Sequence, residues 1–451
     1  MRRQQMVGML LIIFSAFLFA NPAYGVEYGL EDLYRIALKR AERIKISEED
    51  LYISERTKDK ALSVLLPKLS AFGNYTKYST DKRSSTGSVI QPDDSTAWGL
   101  RLDQSLSVSG REITAFKISE EGIEKSRYDL HAVKESYIFG VAIAYYDALK
   151  AKKALEIAKA NVERLTKYRD AASVRLKVGE VTKTDLLRAE AELSGAQAEL
   201  VRAGNNLKLT KAVLARVVGL NGDFEIKETV YSMQHTEGAE DLQSLKQTAM
   251  SERAELKAAG LQKKIAEDQV KYTKGSYWPT LSIAGVYSRK DEDPASAFLN
   301  KESIYGGINL NFPFFEGGLR KAEVREAEAK YRQAGLFHED LKKTVGVEVE
   351  NAYLDFQTQK GVLKSLKDQL TFASGNYNSV SRQYEFGLAN SIDVIDANTL
   401  FLTAERQVAE AEYSYQLSIL RLQRTTGVFL KITASRQSIE HQVKEDKGRT
   451  N

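Results

Sequence analysis

The sequence predicts a mixed, predominantly α fold. Long antiparallel coiled-coil helices are joined to four β-strands of membrane-spanning length, too few for one copy to close a barrel. Three observations carry that expectation. An apolar leader opens a chain that contains no cysteine. Almost everything after it occurs twice. Each copy also switches, at a glycine, from an apolar period of two residues to one of three and four.

Arg2 and Arg3 precede an apolar run from Val7 to Ala20, followed by Asn21-Pro22-Ala23-Tyr24-Gly25. A charged start, a short apolar stretch and small residues before a cut predict a secretory signal peptide over residues 1–25. The plainer alternative, a membrane anchor, needs about 20 apolar residues to cross a ~30 Å hydrocarbon layer, and this run is shorter. No later stretch reaches ~18 consecutive apolar residues, so any crossing has to be made by β-strands. With no cysteine, disulfides, thiol chemistry and lipidation of a cysteine are excluded. A net charge of +4 with 28% charged residues leaves no electrostatic footprint for nucleic acid.

The six prolines, at 22, 67, 92, 279, 294 and 313, leave 93–278 and 314–451 free for helices. Self-comparison then matches Leu65-Leu66-Pro67 through Tyr75 with Tyr277-Trp278-Pro279 through Tyr287. The same spacing pairs Leu30 with Leu242 and Ala37 with Ala249. Past Tyr75 the spacing shortens by four, pairing Gly99 with Gly307, Gly110 with Gly318, Gly179 with Gly387, Asp185 with Asp393 and Gly219 with Gly427. One short deletion in the loop before Gly307 accounts for the change. The chain is a tandem duplication of helix, strand, polar loop, strand, very long helix, tight turn and helix.

In the first copy Trp98, Leu100, Leu102, Leu106 and Val108 alternate with Gly99, Arg101, Asp103, Ser105 and Ser107, interrupted only by Gln104. In the second, Ile308, Leu310, Phe312 and Phe314 alternate with Gly307, Asn309 and Asn311. That is a strand with one apolar and one polar face. The partner strands, 69–78 and 281–289, alternate more weakly. All four have the ~9–11 residues a tilted transmembrane strand needs. The loops Ser79–Ala97 and Lys290–Ser303 are polar, as extracellular barrel loops are.

After Gly110 the period changes. Val141, Ala144, Ala148, Ala151, Leu155, Ala158, Val162 and Leu165 step by three and four, a coiled-coil spacing. A helix from Arg111 to Lys177 would be about 100 Å long at ~1.5 Å per residue, and only a coiled coil or a helical tube can bury it. Four strands leave open edges, which lipid does not tolerate, so several copies must share one barrel. Two, three and four copies all remain possible on this reading.

The duplicated cassette carries a family resemblance. Leu-Pro stands before a strand, Phe312-Pro313-Phe314-Phe315-Glu316-Gly317-Gly318 leads into a helix, and Tyr384-Glu385-Phe386-Gly387 precedes Asp393-Val394-Ile395-Asp396-Ala397. From Leu30 to Leu430 the chain resembles the TolC-like outer-membrane efflux proteins. The resemblance implies a homotrimer with twelve strands over a twelve-helix periplasmic tunnel, and an equatorial domain between. It also implies an exit channel for a tripartite efflux or type I secretion system, gated at its periplasmic tip. The partners would be a periplasmic adaptor (membrane fusion) protein, an inner-membrane pump or exporter, and outer-membrane lipid. The expected divisions are the signal peptide (1–25), a first repeat (26–219), an inter-repeat equatorial segment (220–241), a second repeat (242–430) and a polar, mobile tail (431–451). Two family features are missing. Ala41-Glu42 and Arg253-Ala254 stand where an Asn-Pro or Arg-Pro dipeptide is usual, and the lipidated cysteine is absent.

Candidate functional residues follow, each beside its plainer role. Val178 and Gly179, and Phe386, Gly387 and Leu388, form two hairpin tips. Their glycines would serve the turns in any case; by resemblance the tips also meet the adaptor, although Glu180 departs from the usual apolar residue. Asp185 and Asp393 lie three residues after the caps Thr182 and Asn390, where an acid assists capping. Asp396, a turn further on the same face, has no capping role and could be a solvated acid. By resemblance Asp393 and Asp396 form an acidic ring at the gate, and Tyr384 with Asp185 forms a latch; the family's latch arginine is Ala389 here. Trp98 and Trp278 are expected at opposite membrane interfaces, with simple packing as the alternative. Catalysis has no support: His131, His235, His338 and His441 are scattered, and there is no phosphate loop, metal spacing or cofactor motif. The competing reading is a secreted or periplasmic coiled-coil structural protein without a pore, which would have no use for four strands with apolar faces. A periplasmic adaptor would carry one helical hairpin, and this chain carries two.

Overall fold

The structure is a computed structural model that describes residues 27–228 and 241–433. The signal segment with its cut site, residues 229–240 of the inter-repeat segment and the tail beyond 433 lie outside the described residues. In the first copy the order is β1 (Glu27–Tyr28), α1 (Leu30–Arg40), α2 (Glu42–Leu65), β2 (Lys68–Lys77), β3 (Lys82–Arg83), β4 (Val89–Gln91), β5 (Asp94–Ser107), α3 (Arg111–Lys177) and α4 (Lys183–Val218). After β6 (Glu225–Ile226) the second copy runs α5 (Leu242–Glu252), α6 (Ala254–Lys274), β7 (Thr280–Asp293), β8 (Glu302–Asn311), α7 (Leu319–Glu385) and α8 (Ser391–Thr425). Both long helices have 67 residues, about 100 Å of rise. Each opens directly after a glycine at positive φ, Gly110 or Gly318, a conformation other residues enter at a cost.

α1 and α5 each break from the following helix at one extended residue, Ala41 (ψ 122°) or Arg253 (ψ 123°). The bend therefore forms without proline. What holds it is the end of the returning helix of the same copy. Gly219 packs against Arg40, whose guanidinium donates to the Gly219 carbonyl at 3.1 Å. Gly427 lies so close to the backbone of Glu252 and Arg253 that a Cβ there would sit 2.9 Å from it.

The strands form one antiparallel sheet in the order β2-β5-β7-β8, so β2 and β8 are open edges. The register separates two faces. Leu69 pairs with Leu102, Leu100 with Tyr287, Gln104 with Ile283, and Ile283 in turn with Ile308, all on one side. Ser105 pairs with Ser282 and Ser282 with Asn309 on the other, where Arg101 also forms an ion pair with Asp103 at 2.7 Å. β5 and β7 run to 14 residues, longer than the sequence predicts, because each continues along the other past the ends of β2 and β8. The expected loops shrink accordingly, and the first contains the small β3–β4 ribbon. Phe312 and Phe314, expected in the last strand, follow its end.

The main core lies between the sheet and the hairpin tips. Tyr34, Ile138, Tyr145, Leu149, Leu214 and Phe429 are fully or almost fully buried there. β1 pairs in parallel with β6 over this core, and the Tyr145 hydroxyl donates to the Lys227 carbonyl at 2.6 Å. The described part of the inter-repeat segment is thus a strap tying the N-terminal residues to α3. Among the described residues no helix is long and apolar enough to cross a membrane.

Candidate functional site

The candidate site is the pair of hairpin tips farthest from the sheet. At the first, Gly179 donates to Leu176 and Glu180 to the Arg175 carbonyl at 3.1 and 2.9 Å; at the second, Gly387 donates to Tyr384 and Leu388 to the Gln383 carbonyl at 3.1 and 2.8 Å. Both are turns of the Schellman type, closed by glycines at φ +79° and +73°. Val178, Phe386 and Leu388 point into solvent, the last two at 78% exposure. An apolar side chain left that exposed at a turn is available to a partner.

The acids divide by role. The Asp393 carboxylate accepts the Asn390 N–H at 3.0 Å, and the Asn390 side chain accepts from the Asp393 N–H in return. Asp185 does the same with Thr182 at 2.9 Å, and the Thr182 hydroxyl holds its carboxyl below the usual carboxylate range. Asp396 is exposed, on the face of Asp393, and pairs with nothing among the described residues. Capping thus accounts for Asp185 and Asp393 and leaves Asp396 unexplained within the chain.

Within one chain Tyr384 and Asp185, expected to form a latch, are not hydrogen-bonded to each other. Tyr384 is buried, and its hydroxyl has no hydrogen-bond partner among the described residues. Two forces hold the ring elsewhere. It packs on Tyr168 with ring centres 5.4 Å apart, and the Arg175 guanidinium lies over it at 4.7 Å. Asp185, meanwhile, is committed to its cap. Burial pushes the Tyr168 hydroxyl up to about 12, and it donates to the Ser391 carbonyl at 3.3 Å.

Sequence reasoning missed Arg175. It donates to the Glu385 carbonyl at 2.7 Å, across to the other hairpin, while its own tip supplies Glu180 at 3.6 Å. One side chain therefore joins both tips. Above it Asn398 donates to Asn161 at 3.1 Å in a buried contact, and Arg164 pairs with Glu405 at 2.8 Å. Tyr168 was within reach of the sequence: one further three-residue step from Leu165 lands on it, and Leu165 and Tyr168 share the tip cluster with Leu193, Tyr384, Val394 and Ile395.

At the opposite end, Trp98 lies four residues inside β5 and stacks edge-on against Tyr287, while Trp278 lies two residues before β7. The β5–β7 register puts them toward opposite ends of the sheet, both about half exposed. Within the chain, no group of three or more His, Asp or Glu among the described residues could hold a metal.

Comparison with known proteins agrees with this geometry. A family model described as outer membrane efflux protein matches residues 33–220 and 245–428, one stretch in each copy. Outer membrane protein TolC of Salmonella enteritidis is 24% identical over 434 residues, covering 94% of this chain and 87% of that protein. The crystal structure of the outer membrane protein VceC of Vibrio cholerae superposes with a TM-score of 0.75 at 18% identity, covering 88% of this chain and 96% of that one. The open state of the MtrE outer membrane channel of Neisseria gonorrhoeae gives 0.74 at 20% identity, covering 89% of each.

Proposed function

The chain belongs to the outer membrane efflux protein family, and from that premise we propose that it is the passive exit duct of a tripartite efflux or type I secretion assembly, gated at its hairpin tips. It is an outer-membrane channel protein extending into the periplasm. The observation that carries the finer reading is the sheet. Its apolar face and two open edges suit a shared barrel in lipid, and helices of about 100 Å leave from the end opposite its polar loops. A pore-less stalk would share the long helices but has no need of the apolar, open-edged sheet.

In this reading three copies close the barrel and the tunnel, and the exposed apolar tips receive a periplasmic adaptor that connects them to an inner-membrane pump or exporter. The tip closes around Asp393 and Asp396, three copies of each converging on one constriction. Carboxylates that close repel one another, so the ring holds shut only with cations bound or protons taken up. The test is ion conductance of the full chain in planar bilayers. Multivalent cations added from the periplasmic side are expected to block it, and replacing both Asp393 and Asp396 by Ala is expected to abolish the block. Unchanged block affinity in the double variant would return both residues to capping and solvation.

A further inference from the structure

Inner and edge strands differ in length by the same amount at both edges. β5 and β7 have 14 residues, β2 and β8 only 10. β5 is the copy-one counterpart of β8, and β7 the counterpart of β2. The last four residues of β5, 104–107, are paired by β7 alone and not by β2. Their counterparts are 312–315, which have no strand beside them within one chain. We propose that the β5–β7 seam inside the chain is the template for the seam between copies, so that β8 of one copy pairs antiparallel with β2 of the next in the register the duplication dictates. The proposal rests on the shared-barrel reading and adds its residue-level geometry.

Carrying each β5–β7 pair over to its counterparts fixes the contacts. Leu100↔Tyr287 becomes Ile308 opposite Tyr75 of the next copy, and Leu102↔Gly285 becomes Leu310 opposite Gly73. Gln104↔Ile283 becomes Phe312 opposite Ala71, and Leu106↔Leu281 becomes Phe314 opposite Leu69. Every one of these falls on the apolar face. On the polar face Arg101↔Val286 becomes Asn309 opposite Asn74, a cross-strand amide pair. A slip by one residue would turn the apolar set to the wrong side.

Pro313 provides an independent check. Its counterpart is Ser105. The Val108 N–H donates to Pro279 across the internal seam, whereas the Ser107 N–H turns away and donates to Glu112. N–H direction alternates along a strand. Ser105 therefore points away from the seam like Ser107, and a proline there costs no bond between copies. The helices repeat the pattern: Ile46 on α2 is 63% exposed, while its counterpart on α6, Ala258, is 5% exposed.

The chain has no cysteine, so paired substitutions read the register without background. Ile308→Cys with Tyr75→Cys, and separately Asn309→Cys with Asn74→Cys, test opposite faces of the seam. Facing Cα atoms lie ~4.5–5.5 Å apart, within disulfide reach, and a two-residue slip takes them to about 8 Å, beyond it. Both pairs are expected to give chains linked into a covalent oligomer. Ile308→Cys with Gly73→Cys or Lys77→Cys is expected to give on the order of a tenth as much or less. Leu100→Cys with Tyr287→Cys is the control, linking within one chain whatever the assembly. An oligomer in mild detergent that links through a shifted pair overturns the register and leaves the channel reading intact. A control that links in a chain that never oligomerises overturns both.

Discussion

Glu135 sits at 3% exposure, and its carboxylate accepts the backbone N–H of Phe429 at 3.1 Å. Burial, reinforced by the charge of Glu255, pushes it up to about 7; the N–H groups of Phe429 and Leu430, and Arg424, oppose the shift. A folded value above the unfolded one means the stability it contributes is complete below about pH 4.5 and is lost as pH rises through 7. His131 nearby is held below its usual value by burial and by Lys257, so its titration falls lower than that of Glu135. Amide exchange of residues 428–433, corrected for intrinsic rate, should show protection falling by roughly 2–3 kcal/mol between pH 5 and 8. Glu135→Gln keeps an acceptor without a charge and should flatten that dependence; a dependence that survives assigns the titration elsewhere. Neither Glu135 nor Arg175 was legible in the sequence, for a common reason. Their partners lie 294 and 210 residues away, and no local spacing encodes such contacts. The caps Thr182–Asp185 and Asn390–Asp393 were legible because both partners stand within one turn.

Elements whose pattern is local were the most legible. The helix expected from Arg111 to Lys177 has those bounds, since a glycine opens it, a glycine closes it and no proline interrupts it. Strand ends were less so, because a strand ends where its partner does: β5 extends to Asp94 because β7 continues to Asp293. The helix bends at Ala41 and Arg253 form although the usual proline is missing, since Gly219 and Gly427 supply the docking from another helix. The faces of the sheet follow the alternation in the sequence, and they support a sharp contrast. Leu102 lies on the apolar face, and Ser105 on the polar one, its hydroxyl 3.0 Å from that of Ser282. Leu102→Arg should cost assembly ~2–4 kcal/mol by placing a charge against lipid, and Ser105→Arg much less. The yield of detergent-resistant oligomer from membranes measures both, and equal losses would mean that the sheet does not face lipid as assigned.

The whole molecule is two open-edged layers ending on the same strands and helices. β2 and β8 border the sheet, and α2 and α7 carry exposed apolar residues such as Ile53 and Val347 along the helical layer. That openness was legible in the count of four strands, while the number of copies comes from the family. The restraint at the far end was not legible. With Ala389 where the family has an arginine, the sequence predicts a weakly held tip, yet Arg175 reaches across from the first hairpin. Its charged bond to the Glu385 carbonyl and its stacking on Tyr384 together are worth about 2 kcal/mol per copy. In the proposed gating the tip opens as the two hairpins separate, and each bridge spans them, so losing it from every copy should act far down the duct. Arg175→Ala is therefore expected to raise single-channel conductance in planar bilayers while leaving oligomer yield unchanged. Arg175→Lys keeps the charge but lacks the planar group that stacks and donates in a fixed fork, and should fall between the two. Conductance unchanged in Arg175→Ala would mean that the bridge positions the tips without restraining them, and that closure depends on the acids alone.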